Sequence, residues 1–212
     1  MKKISYSLHL GIVGSINSEN GSGRETFLDY LKNRTIDDKI SRTNENDKSF
    51  FNYFIVYKQI PIKIKVFLAE TLNELIFNHD KIKKLDILIL ALNLYDVNSI
   101  IEFTKENFDE FKEIFSFWGL SLLVGIDVNQ IFRKPILEYN TRISNIDLIN
   151  KAKELDFLFC YEIKDKDKDL IDFYDNIFNN FLVKFQISSP ELFEQAKSHG
   201  VYLEKKNNLS QS

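Results

Sequence analysis

Short apolar runs alternate with stretches of helical periodicity along most of this chain. The runs at 8–13, 85–92 and 120–126 contain few polar residues, a pattern typical of strands that are buried on both faces of a sheet. A shorter apolar run at 157–161 predicts a further strand. Apolar residues recur at helical spacing between the runs, and they predict helices over 26–33, 72–83, 97–115, 143–155 and 170–185.

Two adjacent segments rich in β-branched and aromatic residues, 50–57 and 62–68, predict a hairpin, because only a short polar turn joins them. In the second segment apolar residues alternate with Lys63 and Lys65, which predicts a strand with one solvent-exposed face. Strands that alternate with helices around a single hairpin indicate an α/β domain. We therefore expect three layers around a mostly parallel six-stranded sheet with one antiparallel edge hairpin.

The end of the chain predicts a small extension of this domain. We find no proline-rich linker, so we expect one domain over 1–184 and a C-terminal extension over 185–212. Ser189 and Pro190 supply a helix cap and a first-turn proline, and Gly200 is a candidate stop signal. These signals predict a short helix over 189–199, followed by a frayed polar tail.

Composition narrows the possible functions. The 212 residues include 28 Lys and Arg against 31 Asp and Glu, and this near-neutral balance argues against a general nucleic-acid binder. The single cysteine, Cys160, excludes an intrachain disulfide and a cysteine-based zinc cluster, and we expect it to be a packing residue. Lys2 excludes N-myristoylation, and no apolar run approaches the roughly 20 residues of a membrane span. We expect a cytoplasmic protein without its own membrane anchor.

Three segments give the chain a family resemblance. Residues 10–14 (LGIVG) lead from the first strand into a loop rich in Gly, Ser and Asn, 88–97 (LILALNLYDV) form an apolar strand that ends in Tyr-Asp-Val, and 122–125 (LLVG) form the next strand. With the order of elements, these segments resemble Ras-like small GTPases over about 5–184. The resemblance implies a P-loop G domain that binds GTP or GDP with Mg²⁺.

The loop at 14–26 departs from the phosphate-loop pattern G-x-x-x-x-G-K-[ST], in which backbone N–H groups and a lysine hold the phosphates. It is longer, and with Thr26 in the hydroxyl position Glu25 occupies the lysine position. A carboxylate about 4 Å from a phosphate charge costs about 4 kcal/mol at an effective dielectric constant of about 20. The alternative is an unorthodox phosphate site in which Arg24 replaces the lysine. Its candidate residues are Gly14, Gly21, Ser22, Gly23, Arg24 and Thr26.

The other nucleotide motifs of the family are altered as well. The Mg²⁺ motif D-x-x-G aligns with 69–72 (AETL), which lacks both the aspartate and the glycine. The guanine motif N-K-x-D aligns with 126–129 (IDVN), so Asp127 stands in the lysine position and Asn129 in the base-reading position. The S-A-K motif aligns with 162–164 (EIK), where only Lys164 is retained. No catalytic residue and no metal ligand is predicted from these motifs.

Two functions from different classes remain. The first is a catalytically degenerate pseudoGTPase without cofactor, which works through a protein partner. Its contact surface is predicted at 34–49, at 69–78 and at the aromatic edge strand 50–57, with Phe51, Tyr53 and Ile55 as contact residues. The second is an atypical nucleotide-binding GTPase that uses GTP or GDP with Mg²⁺. A flavodoxin-like or receiver-like domain is a weaker third option, because those folds lack the hairpin.

Asp96 and Asp127 follow two of the predicted strands and allow one further hypothesis. Carboxyl ends of parallel strands meet at one edge of a sheet, so the two carboxylates could share a cation there. The favoured interpretation is that each one caps the helix or loop that follows it.

Overall fold

Six strands form one sheet in the computed structural model, which describes residues 3–15, 21, 23–36, 49–132 and 142–210. The strands are β1 (Tyr6–Val13), β2 (Phe50–Tyr57), β3 (Ile60–Ala69), β4 (Ile87–Asn93), β5 (Leu120–Ile126) and β6 (Phe159–Ile163). The helices of this part of the chain are α1 (Glu25–Arg34), α2 (Leu72–Phe77), α3 (His79–Ile82), α4 (Val97–Ile101), α5 (Lys105–Phe115), α6 (Val128–Ile131), α7 (Asn145–Glu154), α8 (Lys168–Ser188) and α9 (Pro190–Ser210).

The sheet has the order β2-β3-β1-β4-β5-β6, and only the β2–β3 pair is antiparallel. Leu10 in the middle of β1 lies opposite Val66 of β3 and Ile87 of β4, so β1 is flanked on both sides. All seven positions of β4 are buried, which explains why its apolar run has no polar alternation. The predicted α/β class and the mostly parallel six-stranded sheet with one antiparallel hairpin are confirmed.

Helices cover both faces of the sheet and create two hydrophobic clusters. Phe27 of α1, Tyr174 of α8 and Ala196 of α9 belong to the cluster on one face. Leu75 of α2, Phe111 of α5 and Leu148 of α7 belong to the cluster on the other face. None of the helices among the described residues combines the length and the apolar composition that a membrane crossing requires.

Two predicted helices are interrupted. The helix expected over 72–83 divides at Asn78, which closes α2 and starts α3. The helix expected over 97–115 divides after Ile101, and Thr104 starts α5 by accepting a hydrogen bond from the N–H of Asn107. Apolar periodicity continues across both breaks and therefore does not locate them. The capping side chain of Thr104, in contrast, marks the start of α5.

The C-terminal helix is longer than predicted, because α9 runs from Pro190 to Ser210 rather than over 189–199. Gly200 lies inside α9 and is not a stop signal. A Cβ atom at Gly200 would lie 1.8 Å from the carbonyl oxygen of Gln59, so the glycine allows α9 to cross the β2–β3 turn at close range. A ring nitrogen of His199 lies 2.8 Å from the carbonyl oxygen of Ile4, just before β1, and holds α9 against that segment as well. The predicted domain boundary at 184 falls within α8.

The two outer strands of the sheet differ in how their edges are covered. At the β2 edge, the hydroxyl of Thr35 accepts a hydrogen bond from the N–H of Phe54 at 3.0 Å and donates one to its carbonyl at 3.1 Å. The N–H of Ile36 also donates to the Phe54 carbonyl, at 2.9 Å. The middle of β2 is therefore already hydrogen-bonded, whereas β6, at the other end of the sheet, pairs with β5 and with no second strand of the described residues.

A buried carboxylate ties β1 to β4 at the amino end of the parallel strands. One oxygen of Asp86 accepts the N–H of His9 at 3.0 Å and also lies 3.0 Å from the His9 ring nitrogen Nδ1. The Nζ of Lys84 lies 2.9 Å from the second oxygen. Burial alone would raise the pKa of Asp86, but the hydrogen bonds from His9 and Lys84 outweigh it and hold the pKa well below the ordinary 3.8.

We expect Asp86→Asn to lower the free energy of unfolding by about 2 kcal/mol at pH 7, because charge-assisted hydrogen bonds are lost. The pKa is lower in the folded than in the unfolded protein, so the carboxylate stabilises the fold above about pH 4, and this contribution fades as the pH falls further. Urea unfolding at pH 7 and pH 3 should therefore show a smaller difference from wild type at pH 3. Asp80→Asn, at an exposed carboxylate, is the control, and an equal effect of both variants would contradict the assignment.

Candidate functional site at the carboxyl end of the sheet

Arg24 closes the loop between β1 and α1. Its Nη1 donates a hydrogen bond to the carbonyl of Gly14 at 2.8 Å, and its Nε donates to Glu25 at 3.2 Å. Arg24 is only 8% exposed, although it carries a charge. The N–H of Gly14 is also engaged, because it donates to the carbonyl of Ala69 at 3.0 Å. The guanidinium group therefore joins the end of β1 to the start of α1 from inside the loop.

Gly23 and Thr26 bring this loop against the neighbouring strand. Gly21 and Gly23 both have positive φ angles, of 55° and 73°, which glycine adopts without strain. A Cβ atom at Gly23 would lie 2.8 Å from the side chain of Ile126, so the loop passes close to the end of β5. The hydroxyl of Thr26 is buried and finds no hydrogen-bond partner within the described part of the chain. Ser22 lies outside the described residues.

An ion network occupies the ends of β5 and β6. Asp127 caps α6, since its Oδ1 accepts the N–H of Gln130 at 2.9 Å, and its Oδ2 lies 3.3 Å from Nη2 of Arg142. The same Arg142 group pairs with Glu162, and Lys164 reaches the second oxygen of Glu162 at 3.0 Å. Two cations and two carboxylates thus neutralise one another at this position.

Tyr95 and Asn129 complete this part of the surface. Burial raises the pKa of Tyr95, and the carboxylate of Asp127, 3.5 Å from its hydroxyl, adds to the effect. Asn129 is buried within α6. Arg142 is the residue that sequence reasoning missed, because no motif or periodicity distinguishes an arginine that precedes a helix.

The structure gathers the predicted site residues into two neighbouring groups. Gly14, Gly23, Arg24 and Thr26 surround the start of α1, and Asp127, Asn129 and Lys164 lie at the ends of β5 and β6. The approach of Gly23 to Ile126 places the groups side by side. They meet at the carboxyl end of a parallel sheet, the usual position of a ligand site in α/β proteins.

The metal hypothesis finds no support among the described residues. Asp96 accepts the N–H of Asn98 at 3.0 Å and caps α4, as Asp127 caps α6, so the capping interpretation is confirmed. No group of three or more His, Cys, Asp or Glu side chains suited to a metal occurs in these parts of the chain. In the segment that aligns with D-x-x-G, Leu72 is a buried core residue, and the Glu74 side chain accepts the N–H of Glu70.

The predicted contact residues on β2 need correction. Tyr53 and Ile55 are buried in the hydrophobic cluster beneath α1 and α8, and Phe51 is half-buried against the same cluster. These residues alternate along the strand and all face the core, because β2 is an edge strand in its hydrogen bonding but not in its packing. Tyr53 and Ile55 therefore do not form a docking surface.

Models of known protein families and curated protein sequences were both compared with this chain, and neither comparison finds a match.

Proposed function

We propose that this chain is a degenerate relative of the Ras-like small GTPases, a pseudoGTPase that holds no nucleotide and acts through contacts with another protein. The order of elements around one antiparallel hairpin agrees with that resemblance. One observation carries the proposal: Arg24 is buried inside the loop that would have to receive the phosphates, and it is bonded there to Gly14.

The contacts of Arg24 and Glu25 argue against a phosphate at this loop. A phosphate site needs N–H groups and a cation that point towards the ligand. Arg24 instead donates a hydrogen bond from Nη1 to the Gly14 carbonyl and another from Nε to the Glu25 carboxylate. To bind a phosphate, the guanidinium would have to leave two hydrogen bonds, and the carboxylate of Glu25 would repel the ligand.

The residues that align with the guanine motif, 126–129, support the same proposal. A base-reading site needs a carboxylate that is free to accept hydrogen bonds from the base, and the residue in that position, Asn129, is an uncharged amide buried within α6. The nearest candidate carboxylate is Asp127, in the lysine position of the motif. Asp127 is occupied by the N–H of Gln130 and by Arg142, and Arg142 is also held by Glu162. A closed network of this kind satisfies its own charges, so it offers little to a purine ring.

One observation favours the alternative, in which the protein binds a nucleotide. The hydroxyl of Thr26 is buried without a partner, and an unsatisfied buried hydroxyl costs about 1–3 kcal/mol. A bound anion or metal-bound water would satisfy it. In this alternative Arg24 turns away from Gly14 and holds a phosphate, and the chain is an atypical GTPase that takes GTP or GDP with Mg²⁺.

The partner surface that we propose is centred on α2, in the segment 69–78, rather than on β2. Phe77 at the end of α2 is 89% exposed, which is unusual for so large an apolar side chain. The segment 34–49, also part of the predicted surface, is described only at 34–36 and at Ser49. We propose a cytoplasmic location, since a single cysteine suits a reducing compartment.

The nucleotide content of the purified protein tests this proposal. We expect no guanine or adenine nucleotide in the supernatant after denaturation, and an unchanged melting temperature with excess GTP or GDP and Mg²⁺. Arg24→Ala should lower the free energy of unfolding by about 1–3 kcal/mol without changing the nucleotide result. Arg34→Ala, at the exposed end of the same helix, is the matched control and should cost less than about 1 kcal/mol.

A near-stoichiometric nucleotide peak, or a rise in melting temperature with GTP that Arg24→Ala abolishes, would refute the pseudoGTPase and establish the alternative. Loss of stability in Arg24→Ala without any nucleotide effect would support a structural role for the arginine.

A further inference from the structure

The four most exposed large apolar side chains of the described residues lie at one end of the sheet. Each is at least 76% exposed, and they are Phe77, Trp118, Leu158 and Ile187. Phe77 ends α2, in the connection that leads to β4, whereas Trp118 and Leu158 come just before β5 and β6. Ile187 is near the end of α8, beside the start of β1. All four are therefore at the amino end of the parallel strands, opposite the candidate functional site.

Trp118 is exposed although the loop that carries it is fixed on both sides. Before it, Phe117 is buried, and its N–H donates to the carbonyl of Lys112 at 2.9 Å. After it, a Cβ atom at Gly119 would lie 2.2 Å from the carbonyl oxygen of Asp86, so the loop rests directly against the chain that enters β4. The loop thus holds the indole ring in solvent, 96% exposed. An indole ring with an N–H group favours the interface between a membrane and water.

Lysines lie beside Trp118 at this end of the sheet. Lys83 and Lys84 are both exposed and come just before β4. The N–H of Leu120 donates to the carbonyl of Asp86 at 3.0 Å, which brings these lysines next to the loop of Trp118. The Nζ of Lys84 lies 2.9 Å from the carboxylate of Asp86, so the one buried acid here is already neutralised.

The basic region continues onto the sheet face that carries α2. The Asp86 carboxylate contacts the ring of His9, and Lys65 of β3 lies opposite His9 in the strand register. Ile64 packs into the hydrophobic cluster on the other face, so Lys63 and Lys65 on either side of it point towards the α2 face. Both lysines are exposed there.

Positive charge predominates in this region, although the whole chain has a net charge of −3. The exposed charged residues are Lys63, Lys65, Lys81, Lys83 and Lys84 against Asp80 and Glu113. An anionic bilayer attracts lysines that lie near its headgroups, and it accepts aromatic and aliphatic side chains at the boundary with its acyl chains. The charge and the exposed rings of this end of the sheet complement such a surface.

We propose that the amino end of the sheet binds the surface of a bilayer that contains anionic lipids, with Trp118 at the interface and the lysines at the headgroups. The exposed apolar side chains come from separate connections and do not share one groove. A bilayer can receive each of them separately, whereas a protein partner requires a contiguous, complementary patch. This inference goes beyond the proposed function and does not depend on it. Phe77 also belongs to the partner surface proposed on α2, so the test uses Trp118, which does not.

Fluorescence of the full chain tests the proposal, because Trp118 is its single tryptophan. With vesicles of phosphatidylcholine and phosphatidylserine, we expect the emission to shift to shorter wavelength and to be quenched by brominated phosphatidylcholine. Vesicles of phosphatidylcholine alone should leave the emission unchanged. Binding should weaken when salt is raised from about 0.1 M to about 1 M, since the screening length falls from about 10 Å to about 3 Å.

Three results of the fluorescence experiment would overturn the proposal. Emission that no vesicle changes would leave these side chains to a protein partner. Equal shifts with both kinds of vesicle would show that anionic lipid is not recognised. A shift that soluble polyphosphate produces without vesicles would assign the basic region to a soluble polyanion.

Charge reversal tests the position of the lysines. In vesicle co-sedimentation, Lys83→Glu should weaken binding to the phosphatidylserine vesicles by about thirtyfold, because two units of charge change near the headgroups. Lys168→Glu makes the same change in net charge at the exposed start of α8, at the carboxyl end of the sheet, and should have little effect. Equal weakening by both variants would mean that only the net charge of the chain matters, and it would refute the proposed orientation.

Truncation of the indole tests the apolar contact. Trp118→Ala should weaken co-sedimentation with the same vesicles by at least about tenfold, because buried apolar surface is lost at the interface. Ile146→Ala is the control, since Ile146 is exposed at the start of α7, also at the carboxyl end. Binding that Trp118→Ala leaves unchanged would contradict the proposal.

Discussion

Tyr174→Ala is expected to destabilise the protein by about 4 kcal/mol, which is the largest effect we predict. Tyr174 is completely buried in α8, and its ring stacks on Tyr30 at a centroid distance of 4.3 Å. Its hydroxyl donates a hydrogen bond to the carbonyl of Phe27 at 2.9 Å. Burial raises the pKa of Tyr174 well above 10, so the hydroxyl remains a donor throughout the physiological range.

Urea unfolding monitored by circular dichroism measures this effect, and two control variants divide it into its causes. Tyr174→Phe keeps the ring and should cost about 1 kcal/mol, the contribution of the hydrogen bond alone. Tyr202→Ala removes a more exposed tyrosine from α9 and should cost less than about 1 kcal/mol. If Tyr174→Phe were as damaging as Tyr174→Ala, the hydroxyl rather than the packing of the ring would dominate.

Gly200→Ala is expected to destabilise the protein by about 2–3 kcal/mol, although alanine is the better helix former. Helix propensity alone would stabilise α9 by about 1 kcal/mol. The new Cβ atom would lie 1.8 Å from the carbonyl oxygen of Gln59, however, and a backbone atom cannot turn away as a side chain does. The second half of α9 must therefore lift from the β2–β3 turn, or the turn must move.

Whether Gly200→Ala lowers or raises the free energy of unfolding decides this prediction. A higher urea midpoint for Gly200→Ala would mean that α9 does not rest on the turn at this distance. Hydrogen exchange should show faster exchange in α9 and unchanged protection in α5 on the opposite face of the sheet. Ser198→Ala, an exposed position in the same helix, is the matched control and should change stability by less than about 0.5 kcal/mol.

The strands could be predicted from the sequence most easily where every residue along the strand is buried. Residues 87–93 are buried at every position, so the apolar run at 85–92 predicted the central strand β4 with little error. The hairpin was equally clear, because it depends on local turn chemistry and on two adjacent segments. These features follow from contacts between residues that are close in sequence or from burial on both faces.

Long-range contacts account for what could not be predicted. Gly200 resembles a helix stop signal until the backbone of Gln59, far away in sequence, is known to lie against it. The aromatic residues of β2 resemble an exposed surface until α1 and α8 are placed over them. At the candidate site, the capping role of Asp127 followed from its position after a strand, whereas the pairing of Arg142 with Glu162 required the fold.

The hydrogen bonds at the β2 edge bear on how copies of this protein could aggregate. An edge-to-edge contact between different edges would leave one edge free on each new copy, so addition could continue into a fibre. Here the hydroxyl of Thr35 and the N–H of Ile36 already occupy the backbone of Phe54 in the middle of β2. Contact between the β2 edge of one copy and the β6 edge of another is therefore disfavoured. Thr35 thus protects the protein against open-ended association, and we expect removal of its hydroxyl to matter more for aggregation than for stability.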